Sequence, residues 1–290
     1  MYEGGYSVPR SYRSLALFVI DSHAFHARPE CDGATKLSPK LRRSVLPMTA
    51  NALVAKNNAF YDAFWSRTYL TRPEKFNTWP LISSLLSAAP QRLEIGPGLR
   101  PRLPISGTHF LDISPPVVER LNARGGIARS GQITELPFAD AAFDLVTAFD
   151  VIEHVENDER VFAELTRVLR PNGCLIFSVP LHPARWTRFD DYVGHARRYL
   201  PSALQELLAR HRLEVMQSGI FGMQSNNTRL LDFAVLGLTK HPTFAVRCYN
   251  WVFFPLGLLL QKQLKIEHGL IDLSKVDEVI LVCRPAAATA

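Results

Sequence analysis

The chain has 290 residues, 47% of them hydrophobic and 21% charged, with 33 Lys and Arg against 27 Asp and Glu. That balance fits a soluble globular protein and excludes collagen-like, low-complexity and disulfide-scaffold classes. The net +6 is small and scattered, which argues against a nucleic-acid partner. Cys31, Cys174, Cys248 and Cys283 have no metal-ligand spacing, so they read as reduced thiols of a cytoplasmic protein without a metal site.

Residues 1–47 hold seven Lys or Arg and four Asp or Glu, so half of the net charge (+3 of +6) lies in this stretch. Pro9, Pro29, Pro39 and Pro47 punctuate it and no apolar period persists, which predicts a mobile basic arm. Met48 is an alternative start. The apolar run from Leu15 to Ile20 is too short for a secretory signal, so none is expected. Residues 48–89 form a helical lead-in: aromatic and apolar residues recur at helical spacing from Thr49 to Leu70, and a further helix is expected from Trp79 to Leu86.

Residues 90–220 change character. Strands are predicted at Arg92–Ile95, His109–Asp112, Phe143–Ala148, Cys174–Val179 and Arg212–Gln217, with helices at Val117–Ala123 and Asp158–Arg170 and another opening at Pro201. Short apolar strands alternating with amphipathic helices mean a mostly parallel sheet with helices on both faces, an α/β fold. The helix after Asp158 is the firmest element. Val161, Phe162, Leu165, Val168 and Leu169 share one face, Asn157 and Asp158 can cap it, and Pro171-Asn172-Gly173 stops it. The segment from Pro180 to Tyr199 reads as a loop. Residues 221–275 form a helical insertion, a cap or substrate lid with apolar segments at Leu230–Leu238 and Phe244–Leu260, and residues 276–290 hold the final strand and tail. The longest apolar run, Trp251–Leu260, is too short to span a bilayer.

The first strand feeds Gly96-Pro97-Gly98, where side chains would block a ligand from the backbone. A dinucleotide fingerprint needs a third glycine where Pro101 stands, which disfavours an oxidoreductase. Glu94 precedes the first glycine, and Asp112 ends the next strand, where a carboxylate can accept hydrogen bonds from ribose hydroxyls. Only nine residues separate Gly98 from Thr108, with Pro101 and Pro104 among them, so a loop or single turn is expected there.

Six segments in order, Leu93-Glu94-Ile95-Gly96-Pro97-Gly98, Leu111-Asp112-Ile113-Ser114, Glu135-Leu136-Pro137-Phe138, Phe143-Asp144-Leu145-Val146, Asp150-Val151-Ile152-Glu153-His154 and Arg167 to Gly173, resemble the class I S-adenosylmethionine-dependent methyltransferases of small-molecule type. The resemblance covers about residues 90–220 and implies a Rossmann-like sheet of seven strands with the last antiparallel. It implies S-adenosylmethionine as cofactor, with Glu94, Gly96 and Gly98 at the methionine moiety and Asp112 at the ribose. Gln132, beside Ile133, stands where the family usually carries an acid for the adenine amine, and can accept that bond as a neutral group. Phe149 and Asp150 would lie at the methionine end.

Methyl transfer needs alignment and exclusion of water, with a base only where the nucleophile must lose a proton. The candidate catalytic residues are His154, after the fourth strand, and His195. Each has a plainer reading: His154 as a positioning residue, and His195 fixing its loop with Arg197 and Arg198 against Asp190 or Asp191. The Arg pair could instead hold a substrate carboxylate or phosphate. The sequence predicts methyl transfer to a small-molecule or lipid-linked acceptor, at oxygen, with peripheral membrane contact through the insertion. The alternatives are a catalytically silent S-adenosylmethionine binder and, third, a dinucleotide-dependent oxidoreductase.

Overall fold

A computed structural model of the chain describes residues 64–65, 68–222 and 235–286. The predicted basic arm, most of the predicted Thr49–Leu70 helices and the first part of the Leu230–Leu238 segment lie outside those residues. Eight strands form one sheet: β1 (Arg92–Ile95), β2 (Thr108–Asp112), β3 (Ile127–Ser130), β4 (Phe143–Phe149), β5 (Leu169–Pro180), β6 (Leu213–Ile220), β7 (Ile266–His268) and β8 (Glu278–Pro285). Their order is β3-β2-β1-β4-β5-β8-β6-β7. Strands β1 to β5 run parallel, and β8 is antiparallel to both β5 and β6.

The expected mostly parallel sheet with an antiparallel final strand is present, with one strand more than the seven expected. The addition, β7, pairs three residues with Gln217, Ser218 and Gly219 at the sheet edge. Neither edge strand was predicted, for one reason: β3 buries only Ala128 and β7 buries nothing, so neither alternates apolar with polar residues.

The helices described along their whole length are α1 (Trp79–Leu85), α2 (Pro115–Asn122), α3 (Asp158–Val168), α4 (Arg188–Val193), α5 (Pro201–Arg210), α6 (Pro242–Cys248) and α7 (Phe254–Leu260). Period-two alternation in β5 divides the core. Leu175, Phe177 and Val179 face the layer built from α3 and α5, where Val161, Phe162, Leu165, Leu204 and Leu208 are buried. Cys174 and Ile176 face the opposite side, where Ile82 of α1 packs. In α3, the Asn157 side chain accepts from the Arg160 amide at 3.0 Å, as its position predicts. The helix ends at Val168, because Leu169 turns extended to enter β5.

Between β1 and β2 no helix forms, as Pro101 and Pro104 require. The expected loop from Pro180 to Tyr199 is more ordered than its sequence suggests: it holds a 3₁₀ turn at Pro183–Arg185 and then α4. Thr187 and Asp190 make a reciprocal capping box at the start of α4, and Gly194 closes it in the left-handed region at φ 78°.

Helices α6 and α7 join through a π-helical turn, Tyr249–Phe253, into one helix from Pro242 to Leu260. By length and composition alone that helix could cross a membrane, which corrects the expectation drawn from the ten-residue apolar run. Counting unbroken apolar residues stops at Asn250, whereas the helix continues through it and buries it. Val246, Asn250, Phe254 and Gly257 face inward, while Phe244, Trp251, Val252 and Leu259 are exposed on the other side.

Candidate functional site

The strand order reverses between β1 and β4, and in such sheets ligands bind beyond the carboxyl ends of the strands at that point. Gly96-Pro97-Gly98 leaves β1 there, Asp112 closes β2 and Asp150 follows β4. Gly96 and Gly98 have φ of 63° and 53°, a region other residues adopt only with strain. A Cβ on Gly96 would fall 2.5 Å from Val151 Cγ2, and one on Gly98 2.1 Å from the Trp65 ring. Both positions therefore need glycine.

Two carboxylates shape this loop. Asp112, buried, accepts from the Gly98 amide through Oδ2 and from the Ser114 amide through Oδ1, each at 2.9 Å. Glu94, also buried, accepts from the Arg102 amide at 2.8 Å and from the Leu103 amide at 2.8 Å. Burial pushes the Glu94 carboxyl up to about 7 against the opposing pull of those amides. Glu94 thus fixes the segment that replaces the missing helix. Gly131 donates to the Asp112 carbonyl, which brings exposed Gln132 and buried Ile133 alongside Asp112.

Beyond the loop lies Arg100, ringed by Phe64, Trp65, Tyr249 and Phe254, the last ring centred 3.5 Å from its guanidinium carbon. Its Nη2 donates to Asn250 Oδ1 at 2.8 Å, so the 242–260 helix packs directly on the glycine-loop end. Arg102 stacks on Phe76, and burial lowers its pKa to about 10.

At the other end, Asp150 has φ 54° and takes a 2.5 Å hydrogen bond from Ser178 Oγ. Phe149 turns to the opposite face and packs near Phe221. His154 and His195, 41 residues apart, meet edge to face with ring centres 4.7 Å apart. His154 Nδ1 donates to the Gly194 carbonyl at 3.1 Å. His195 Nδ1 lies 2.8 Å from Asp190 Oδ1. Burial, reinforced by His195, pushes the His154 imidazole down to about 3, so it is neutral at pH 7.

Asp190, fully buried, also accepts from Arg198 Nε at 2.8 Å and from the Thr187 amide and hydroxyl at 2.7 Å. Burial alone would raise its pKa, but the hydrogen bonds from His195, Arg198 and Thr187 outweigh that and hold it well below the usual carboxylate range. Of the pairings weighed for this segment, Asp190 therefore takes His195 and Arg198. Asp191 accepts from the Trp186 indole, and Arg197 turns away to Asp158. With Arg198 committed to Asp190 and Arg197 to Asp158, the two guanidinium groups do not form a shared anion clamp.

Sequence reasoning passed over two buried carboxyl groups here, Glu153 and Glu278. Burial, then Asp150, raises the pKa of each. Glu153 could have been singled out as the neighbour of His154, but Glu278 carries no sequence signal, since β8 brings it from the far end of the chain.

A methyltransferase-domain family profile matches residues 101–177. A protein of Mycolicibacterium smegmatis named "Probable S-adenosylmethionine-dependent methyltransferase" is 37% identical over 98 residues, covering 32% of this chain and 37% of that one. The malonyl-[acyl-carrier protein] O-methyltransferase of Legionella pneumophila is 37% identical over 109 residues, with the same two coverages. The chain thus spans little more than a third of the length of these curated relatives. Over residues 101–177 the chain is thus similar to the methyltransferase-domain family, and the relatives it matches there include proteins named S-adenosylmethionine-dependent methyltransferases. Among solved structures, a SAM-dependent methyltransferase from Thermotoga maritima matches 81% of this chain and 93% of its own, at 16% identity and a TM-score of 0.48. The cofactor of the relatives named S-adenosylmethionine-dependent methyltransferases is S-adenosylmethionine, and the residues at the ends of β1 and β2 fit it. Two positive-φ glycines, Gly96 and Gly98, stand beside a carboxylate that two amides orient at the end of β2.

Proposed function

We propose that this chain transfers a methyl group from S-adenosylmethionine to an oxygen of a small or lipid-linked acceptor. The observation that supports the reading is that the glycine loop leaves β1, Asp112 closes β2, and His154 follows β4 and meets His195 edge to face. S-adenosylmethionine bound there supplies a methyl group already activated on a sulfonium sulfur. Gly96 and Gly98 let the methionine moiety approach the backbone, and Glu94 holds the following segment in place through Arg102 and Leu103. Asp112 receives the ribose hydroxyls, and Gln132 and Ile133 flank the adenine. Phe149 and Asp150 mark the reactive end.

A histidine pair at that end supports oxygen as the acceptor atom, because a hydroxyl must lose a proton and these imidazoles are placed to govern that loss. The Asp190 carboxylate lies 2.8 Å from Nδ1 of His195 and so orients the ring. In methyl-label transfer from S-adenosylmethionine into cell extracts, His195→Asn is expected to lower incorporation about 100-fold. Its affinity for S-adenosylmethionine should match the parent by calorimetry. Cofactor binding with no labelled product from aqueous or organic extracts would support the silent binder; NAD binding without S-adenosylmethionine binding would support the oxidoreductase.

The lipid-linked acceptor is supported by the 242–260 helix, which buries one face against the glycine-loop end and exposes Phe244, Trp251, Val252 and Leu259 on the other, near Lys262 and Lys265. Such a helix lies on a membrane surface. The chain is expected to sediment with phosphatidylglycerol vesicles, and Trp251→Ser with Leu259→Ser to reduce the bound fraction at least about 10-fold. Equal sedimentation of parent and variant would remove the exposed face of this helix as the membrane contact.

A further inference from the structure

We infer that Glu153, His154 and His195 form a binding site for one divalent transition-metal ion. Ligand atoms from the three residues all lie within 4.8 Å of one another, close enough for a single ion to reach each after small rotamer adjustments. Glu153 is buried, and its Oε2 has no hydrogen-bond partner. A buried carboxylate oxygen left in that condition is costly, and coordination is one way to satisfy it.

The outer partners are those a metal site needs. A ligating imidazole usually donates its other N–H to a carboxylate or backbone carbonyl, which fixes the tautomer and aims the lone pair. Both histidines are held this way through Nδ1, His195 by Asp190 Oδ1 at 2.8 Å and His154 by the Gly194 carbonyl at 3.1 Å. His195 Nε2 stands 3.8 Å from Glu153 Oε1, a gap too long for a hydrogen bond. Two elements hold the geometry. The Glu153 carbonyl accepts from the amides of Ala196 and Arg197, which ties the segment after α4 to the end of β4, and Arg198 anchors Asp190.

Charge points the same way. Asp150, Glu153 and Glu278 act on one another with Asp190 close by, while Arg102 and Arg198 are the cations that act on this group. An added divalent cation would balance that excess. Two imidazoles and one carboxylate suit Zn²⁺, Fe²⁺ or Mn²⁺ better than Mg²⁺ or Ca²⁺, and three protein ligands leave positions open for a substrate oxygen. The link to methyl transfer rests on the function proposed above: an acceptor hydroxyl joining the ion would release its proton to bulk water and keep its electron pair for the new bond. The site itself does not depend on that reading.

The test is calorimetric titration of the tag-free full-length chain with Zn²⁺ alone, and with Co²⁺ followed by its visible absorption. One equivalent should bind, with the absorption of a four- or five-coordinate ion. Glu153→Gln, His154→Asn and His195→Asn should each weaken binding at least about 100-fold. Thermal melting and S-adenosylmethionine titration of the same variants show that each is folded. If a folded variant binds Zn²⁺ as tightly as the parent, or if the parent takes up less than one equivalent, the site is refuted. Zn²⁺ binding without S-adenosylmethionine binding would overturn the proposed function and leave the site standing; the converse would remove the site alone.

Discussion

Asp112→Ala is expected to weaken S-adenosylmethionine binding on the order of 100-fold or more in a calorimetric titration, the largest effect of any cofactor-side substitution. The carboxylate orients the loop, accepting from the Gly98 and Ser114 amides at 2.9 Å, and is also the group assigned to the ribose. Hydrogen bonds to a charged group are each worth about 1.5–3 kcal/mol, so loss of two to the ribose alone corresponds to roughly two orders of magnitude or more. Removal of the Gly98 partner adds to this by loosening a glycine held at φ 53° under the Trp65 ring. Asp112→Asn separates the contributions: one amide oxygen can serve the loop or the ribose well, but not both. An intermediate loss is therefore expected. Parent-like affinity in the alanine variant would remove Asp112 from the cofactor site.

The glycine loop and the strand ends around it were legible because their chemistry is local. Gly96, Gly98 and the prolines at 101 and 104 dictate backbone by themselves, and Asp112 ends a strand whose burial pattern is written in four consecutive residues. The same holds for α3, whose buried face and Asn157 cap stand in one eleven-residue stretch with its flanks. The sheet edges were not legible, since β3 and β7 bury almost nothing and are defined only by the neighbours they pair with.

The reactive end fell between these cases. His154 and His195 were each visible as candidates, but their approach to 4.7 Å depends on α4, a six-residue helix hidden in what reads as loop. A Thr-x-x-Asp pattern at Thr187 was the available local signal for it. Glu278 illustrates the limit of such reading. It reaches Asp150 only because β8 inserts between β5 and β6, a topological fact that no nearby residue encodes.

Asp190→Ala is expected to be the most destabilising single substitution near the site. One carboxylate, fully buried, receives His195 Nδ1, Arg198 Nε and Nη2, and both the amide and the hydroxyl of Thr187. Alanine removes the charge that compensates the Arg198 guanidinium, whose side chain is only 4% exposed. Breaking a buried pair from one side costs about 3–5 kcal/mol, because the surviving charge stays out of water. For a domain of this size that corresponds to a fall in Tm of roughly 10 °C. Asparagine should recover little of it: a single amide oxygen can serve only part of this donor set, and its NH₂ would face donors. The same substitution frees the His195 ring to exchange tautomers, so methyl transfer should fall even at temperatures where the variant remains folded. A Tm within about 2 °C of the parent would show that Arg198 and His195 draw their order from elsewhere, and the positioning role assigned to Asp190 would then fail with it.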